Sequence, residues 1–98
     1  MAYEIVWLPK AALRFDEIIV WLQIHWTDKE IAAFISRTEE VITMIKDNPL
    51  LYRKSEKRNI HEAIITKHVL LLYRKKRGKV ELLTFFDTRQ NPVKKFNS

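Results

Sequence analysis

Residues 26–30, Trp26-Thr27-Asp28-Lys29-Glu30, set the layout of the first half of the chain. Thr27 followed three positions later by Glu30 is a capping box. The threonine hydroxyl can accept from the Glu30 amide while the Glu30 carboxylate reaches back to the cap. A helix therefore starts at Asp28. Its apolar stripe is Ile31, Phe34, Ile35, Thr38, Val41, Ile42 and Ile45, and Asp47-Asn48-Pro49 stops it. Upstream, Ala12, Phe15, Ile18, Ile19, Leu22 and Trp26 recur at helical spacing. They follow Pro9, whose missing N–H suits a first helical turn. Two amphipathic helices joined at one capping residue form a hairpin with both stripes on a common surface.

Working outward, Tyr3, Ile5 and Trp7 alternate with Glu4 and Val6, the pattern of a short strand. Beyond the hairpin, Leu50 to Asn59 is polar, basic and without period, so it reads as a loop. Three apolar, β-rich runs follow: Ile60–Thr66, Val69–Arg74 and Val80–Phe86. Lys67-His68 joins the first two. Lys76-Arg77-Gly78-Lys79 is a turn in which Gly78 is free to take positive φ. The expectation is an α+β domain spanning residues 1–98: an N-terminal strand, an α-helical hairpin and a three-stranded antiparallel meander. The hairpin covers one sheet face, and the other face, lined by basic residues, stays open.

The charge is unevenly spread. Residues 1–49 carry 5 basic and 8 acidic side chains, and residues 50–98 carry 13 basic and 4 acidic. That imbalance points to a polyanionic or acidic partner on the second half, against the plainer reading of a solvated face. No cysteine occurs, which excludes disulfides and thiolate metal sites. The first residues lack the pattern of a signal peptide, and no apolar run is long enough to span a membrane. Phosphate-loop, nucleophile-elbow and His-Glu-x-x-His spacings are absent, and the single glycine leaves little scope for a cradle of backbone amides. No cofactor or metal is expected.

Arg89 stands at the end of the last apolar run, before Pro92 ends the ladder. Its fork could clamp a phosphate or carboxylate, or form a structural ion pair with Asp87 or a helix residue. His25 reads as a helix cap or surface residue. His61 and His68, on the edges of the meander, could carry protons near neutral pH. Lys67, Arg74, Lys75, Lys76, Arg77 and Lys79 make the hairpin tip basic, either to attract a phosphate backbone or to protect a sheet edge. Lys94 and Lys95 extend that charge into the tail. Tyr52 and Tyr73 could stack on bases, although Tyr73 reads better as packing. Trp7, Trp21 and Trp26 read as core in preference to a partner surface.

The ordered set of elements resembles the RelE/ParE superfamily of toxins from type II toxin–antitoxin systems. The resemblance rests on Trp7-Leu8-Pro9-Lys10-Ala11 after the first strand, on Asp47-Asn48-Pro49, on Val69-Leu70-Leu71-Leu72-Tyr73-Arg74, and on Phe86-Asp87-Thr88-Arg89-Gln90-Asn91-Pro92. It covers essentially the whole chain. It implies a small cytoplasmic toxin, as in plasmid-stabilisation modules, neutralised by a cognate antitoxin. It also implies assembly as a homodimer or as a heterotetramer with that antitoxin, away from membranes. An acidic antitoxin segment is expected over the helix hairpin or along the meander.

Members of the superfamily divide into gyrase-binding ParE-like toxins and ribosome-dependent RelE-like mRNA endoribonucleases. Leu70 lies near where RelE-like enzymes usually carry an arginine, and the tail offers Lys94, Lys95 and Phe96 where they often carry tyrosine or histidine. His61 occupies a place that often holds arginine in ParE-like and other members. Arg89 matches the strand-end arginine of the nucleases. Were the chain a nuclease, Arg89, His61 and His68 would be its catalytic residues. The departures favour a ParE-like toxin that binds a target such as DNA gyrase, with the nuclease as the alternative and an antitoxin-binding remnant as a third reading.

Overall fold

The computed structural model describes residues 2–54 and 59–88. Strand β1 (Glu4–Trp7) leads into helices α1 (Pro9–His25) and α2 (Asp28–Asp47). Strands β2 (Arg53–Lys54), β3 (Ile60–Thr66), β4 (Val69–Lys76) and β5 (Lys79–Asp87) follow. They form a sheet in the order β1-β5-β4-β3-β2. The α+β architecture, with its N-terminal strand, helical hairpin and meander, is the one expected. Strand β1 lies parallel to β5, with Glu4 opposite Lys79 and Trp7 opposite Leu82. The remaining pairings are antiparallel. No helix among the described residues is long and apolar enough to cross a membrane.

The helix boundary forms at the capping box. The Glu30 carboxylate accepts from the Thr27 amide at 2.7 Å and from the Thr27 hydroxyl at 2.8 Å. Those two bonds hold the Glu30 carboxyl below its usual range, the backbone bond contributing most. At the other end of the molecule Gly78 takes φ +68° and closes the β4–β5 hairpin.

One loop expectation is corrected. Within 50–59, Arg53 and Lys54 pair with Glu62 and His61 and add a strand outside β3. Two residues cannot display a period, so the sequence offered no strand signal there. A second correction concerns the sheet face away from the helices. Its middle is buried and not lined by basic residues: Glu62, Leu72 and Thr84 align across it, and Leu72 is 2% exposed. Phe86 is buried there as well, opposite Leu70. Arg74 and Lys76 stand at the hairpin end of that face.

The core lies between the hairpin and the sheet. Ala11 from α1 and Phe34, Val41 and Ile45 from α2 meet Ala63, Ile65, Leu71, Tyr73, Val80, Leu82 and Phe85. A β-bulge where Leu72 and Tyr73 face Thr84 and Leu82 changes the alternation of β5. It lets both Leu82 and Phe85 face the helices. Four rings tie β1, α1, α2 and β5 together: Phe15 lies 5.5 Å from Trp7, 5.7 Å from Phe34 and 5.3 Å from Phe85.

Candidate functional site

The structure has two ends of different chemistry. At one end α1, α2 and the β3–β4 turn enclose a groove of about 860 Å³. Its floor is Phe34, Val69 and Phe85, and its walls include Ile18, Trp21, Leu22 and Trp26. Trp21 and Trp26 are 36% and 51% exposed, which corrects the expectation that they are core. They stand at helical spacing like the core residues, so the stripe alone could not show that the hairpin leaves part of it uncovered. Trp7, 40% exposed, sits at the rim of the aromatic cluster, stacked on Phe85 at 5.7 Å. His25 is exposed, as expected. Its ring stacks on Trp21 at 4.2 Å and Nδ1–H donates to the Trp21 carbonyl at 2.9 Å.

Arg37 is the residue of this site that the sequence did not reveal. Its Nε donates to the Ile65 carbonyl at 3.1 Å and its Nη2 to the Ile64 carbonyl at 3.4 Å. A third nitrogen is bonded to Glu40. The register of β3 and β4 shifts between Ile64 and Thr66, and Arg37 ties α2 to that irregularity. The partners lie 27 and 28 residues away, so no local pattern could announce them. Arg14 is held on the opposite wall by Glu17 at 2.9 Å.

His68 belongs to this end. It lines the groove from the β3–β4 turn. Its carbonyl accepts from the Thr88 amide at 2.7 Å and its amide donates to the Thr66 hydroxyl at 3.2 Å. His61 is elsewhere and is not on an edge, because β2 pairs outside it. The residue is 7% exposed, and its ring stacks on Tyr73 at 5.2 Å and donates from Nδ1–H to the Tyr52 carbonyl at 3.0 Å. Tyr73 is wholly buried and donates to the Pro49 carbonyl at 2.7 Å. Burial pushes its hydroxyl up to about 12. This trio fixes the chain between α2 and β3. His61 pairs with Tyr73, five positions from His68, so the two histidines stand ~17 Å apart along the sheet at the usual rise.

The other end is the β4–β5 hairpin. Lys75, Lys76, Arg77 and Lys79 are exposed there. Arg74 is half-buried and donates to Glu81 at 2.7 Å, with Lys76 at 3.9 Å from the same carboxylate. Arg74 thereby holds the Glu81 carboxyl below its usual range. Lys67 does not join this group. The β3–β4 and β4–β5 turns lie at opposite ends of β4, so Lys67 stands at the groove end. Arg89, Lys94 and Lys95 lie outside the described residues. Among the described residues no three histidine, aspartate or glutamate side chains gather as metal ligands.

The chain is similar to several solved toxins. Against the chromosomal ParDE toxin–antitoxin system of P. aeruginosa the TM-score is 0.75 at 16% identity, covering 88% of this chain and 96% of that one. Against the YoeB dimer of Staphylococcus aureus it is 0.60 at 17% identity, covering 88% and 97%. Against the E. coli DinJ–YafQ toxin–antitoxin complex it is 0.62 at 8% identity, covering 91% and 96%. At these identities the likeness is one of fold. No curated protein sequence matches the chain. Residues 5–92, nearly the whole length, match the family described as the ParE toxin of the type II toxin-antitoxin system, parDE. The chain therefore belongs to the ParE toxin family.

Proposed function

We propose that this ParE-family toxin acts in the cytoplasm by binding a protein target of the DNA gyrase class, and that a cognate antitoxin silences it by seating an acidic amphipathic segment in the groove. The observation that carries binding over RNA cleavage is the placement of the histidines. Cleavage through a 2′-hydroxyl needs a base and an acid on one scissile phosphate. His61 is stacked against Tyr73 in the core and His68 stands in the turn at the far end of β3. That separation supports binding over cleavage of one scissile phosphate.

The groove supports the antitoxin reading by its shape and lining. Apolar walls of Ile18, Trp21, Leu22 and Trp26 suit an amphipathic helix read at i, i+3, i+4 and i+7. The charged groups of the groove, Arg14 and Arg37 beside Glu17, Glu30 and Asp87, nearly balance, so the reading rests on the apolar walls, and the chain's net charge of +6 adds only a long-range attraction for an acidic partner. Similarity to the ParDE toxin–antitoxin system and to the DinJ–YafQ complex supports the same pairing.

Induced expression, with plasmid supercoiling and mRNA 5′ ends followed in parallel, tests the target. Altered supercoiling with unchanged mRNA ends is the expected result. New mRNA 5′ ends with unchanged supercoiling would overturn it in favour of the RelE-like nuclease.

A further inference from the structure

We infer that the β4–β5 hairpin is a second site, separate from the groove, that binds the phosphate backbone of nucleic acid without reading sequence. The register places Lys76 directly opposite Lys79. Arg74 lies on the same face two positions along β4, and Arg77 fills the turn between the lysines. On this face Glu81 is engaged by Arg74 and Lys76, and Glu62 lies further from the tip, buried opposite Leu72. On the helix-facing side Lys75 sits 5.5 Å from the Tyr3 ring. Tyr3 in turn donates its amide to the Lys46 carbonyl, and Glu4 donates to that of Gly78, so the exposed end of α2 adjoins the hairpin. Lys46 joins the cations there, beside the acids Glu4 and Asp47.

Two like charges directly opposite on a ladder destabilise it. The hairpin holds such a pair with a third cation at its tip. An anion between them would convert that repulsion into attraction. The segment Arg74-Lys75-Lys76-Arg77-Gly78-Lys79 offers no apolar or aromatic side chain. Protein interfaces anchor on such side chains, whereas phosphate contacts need cations alone. That separates a nucleic acid from an acidic protein as the occupant. Val69 at the groove and Lys76 at the tip are seven residues apart on one strand, ~23 Å. A groove filled by antitoxin therefore leaves the hairpin free, and the neutralised complex retains its hold on nucleic acid.

The test is fluorescence anisotropy of the full chain with a random-sequence DNA duplex of about 20 base pairs, a single-stranded RNA of the same length and poly-glutamate, each across a salt series. The wild type is expected to bind both nucleic acids with a log–log salt slope of about −3 on the duplex, at ~0.9 per phosphate neutralised, and poly-glutamate far more weakly. The relative affinities of duplex and RNA show which of the two is preferred. The combined variant Lys75→Gln, Lys76→Gln, Arg77→Gln, Lys79→Gln is expected to lose more than 10-fold in affinity and most of the slope. It should melt no lower than wild type, since it removes the Lys76–Lys79 repulsion, and should still capture antitoxin. Lys76→Arg with Lys79→Arg keeps binding. A wild-type slope shallower than −1 overturns the proposal whatever the variants do. So does a folded glutamine variant with unchanged slope, or poly-glutamate binding as tightly as DNA. Because antitoxin capture is scored separately, loss of the groove reading leaves this result standing, and the reverse.

Discussion

The groove and the hairpin occupy opposite ends of the same two strands, yet the sequence displays them very differently. The hairpin is written as one contiguous run, Arg74 to Lys79, and its charge is plain by inspection. The groove is assembled from α1, α2, the β3–β4 turn and the end of β5. Its walls obey the same spacing as the core. Charge on a loop declares itself because solvent is its default surrounding. An apolar residue on a helical stripe is either core or docking surface, and only the angle between helix and sheet decides which.

The sharpest way to break this contrast is to treat the two ends alike. Phe85→Ala, on the groove floor and 3% exposed, is expected to cost about 3–5 kcal/mol in denaturant unfolding. Lys76→Ala, on the hairpin, should change stability by less than about 0.5 kcal/mol. Similar losses at both positions would mean that the hairpin is part of the folding core.

Next in size is Trp21→Ala. About two-thirds of its surface is buried, so its own packing loss should be about 2 kcal/mol. Antitoxin affinity, measured on the folded variant, should fall by about another 2 kcal/mol or ~30-fold, because a tryptophan anchor dominates such interfaces. Calorimetric titration of the variant against antitoxin checks this; undiminished affinity would move the partner away from the groove.

The same contrast explains how much was legible. The capping box at Thr27 and Glu30, the proline at Pro9 and the turn at Gly78 use local chemistry, and each stands where the sequence put it. The two-residue β2 has no period to read. Arg37 bonds to carbonyls on another element, and its role depends on a register shift near Ile64 that no helical pattern encodes. His61 looked like an edge residue because β2, the strand outside it, was invisible. The basic residues looked like one tip because Lys67 and Arg74 are close in sequence, although they stand at opposite ends of β4.

The Tyr73 lock sharpens the picture with a smaller effect. Tyr73→Phe removes the bond to the Pro49 carbonyl and should cost about 1 kcal/mol near neutral pH. The wild-type hydroxyl, raised to about 12 in the fold, binds its proton more tightly folded than unfolded. Its contribution is therefore intact below the unfolded value near 10 and is lost as pH rises through about 12. Chemical denaturation at stepped pH should show wild type losing its advantage over the phenylalanine variant across that window. A constant difference from pH 9 to 12 would show that Tyr73 is not held neutral by burial.

The central claim is that the groove, and not the hairpin, receives the antitoxin. Amide hydrogen exchange of the toxin, free and in complex with its co-expressed antitoxin, tests it most directly. Slowed exchange is expected in the C-terminal half of α1, the first turns of α2 and the β3–β4 turn, with Lys75 to Lys79 unchanged. Protection confined to the hairpin, with the groove walls exchanging as in the free chain, would contradict it.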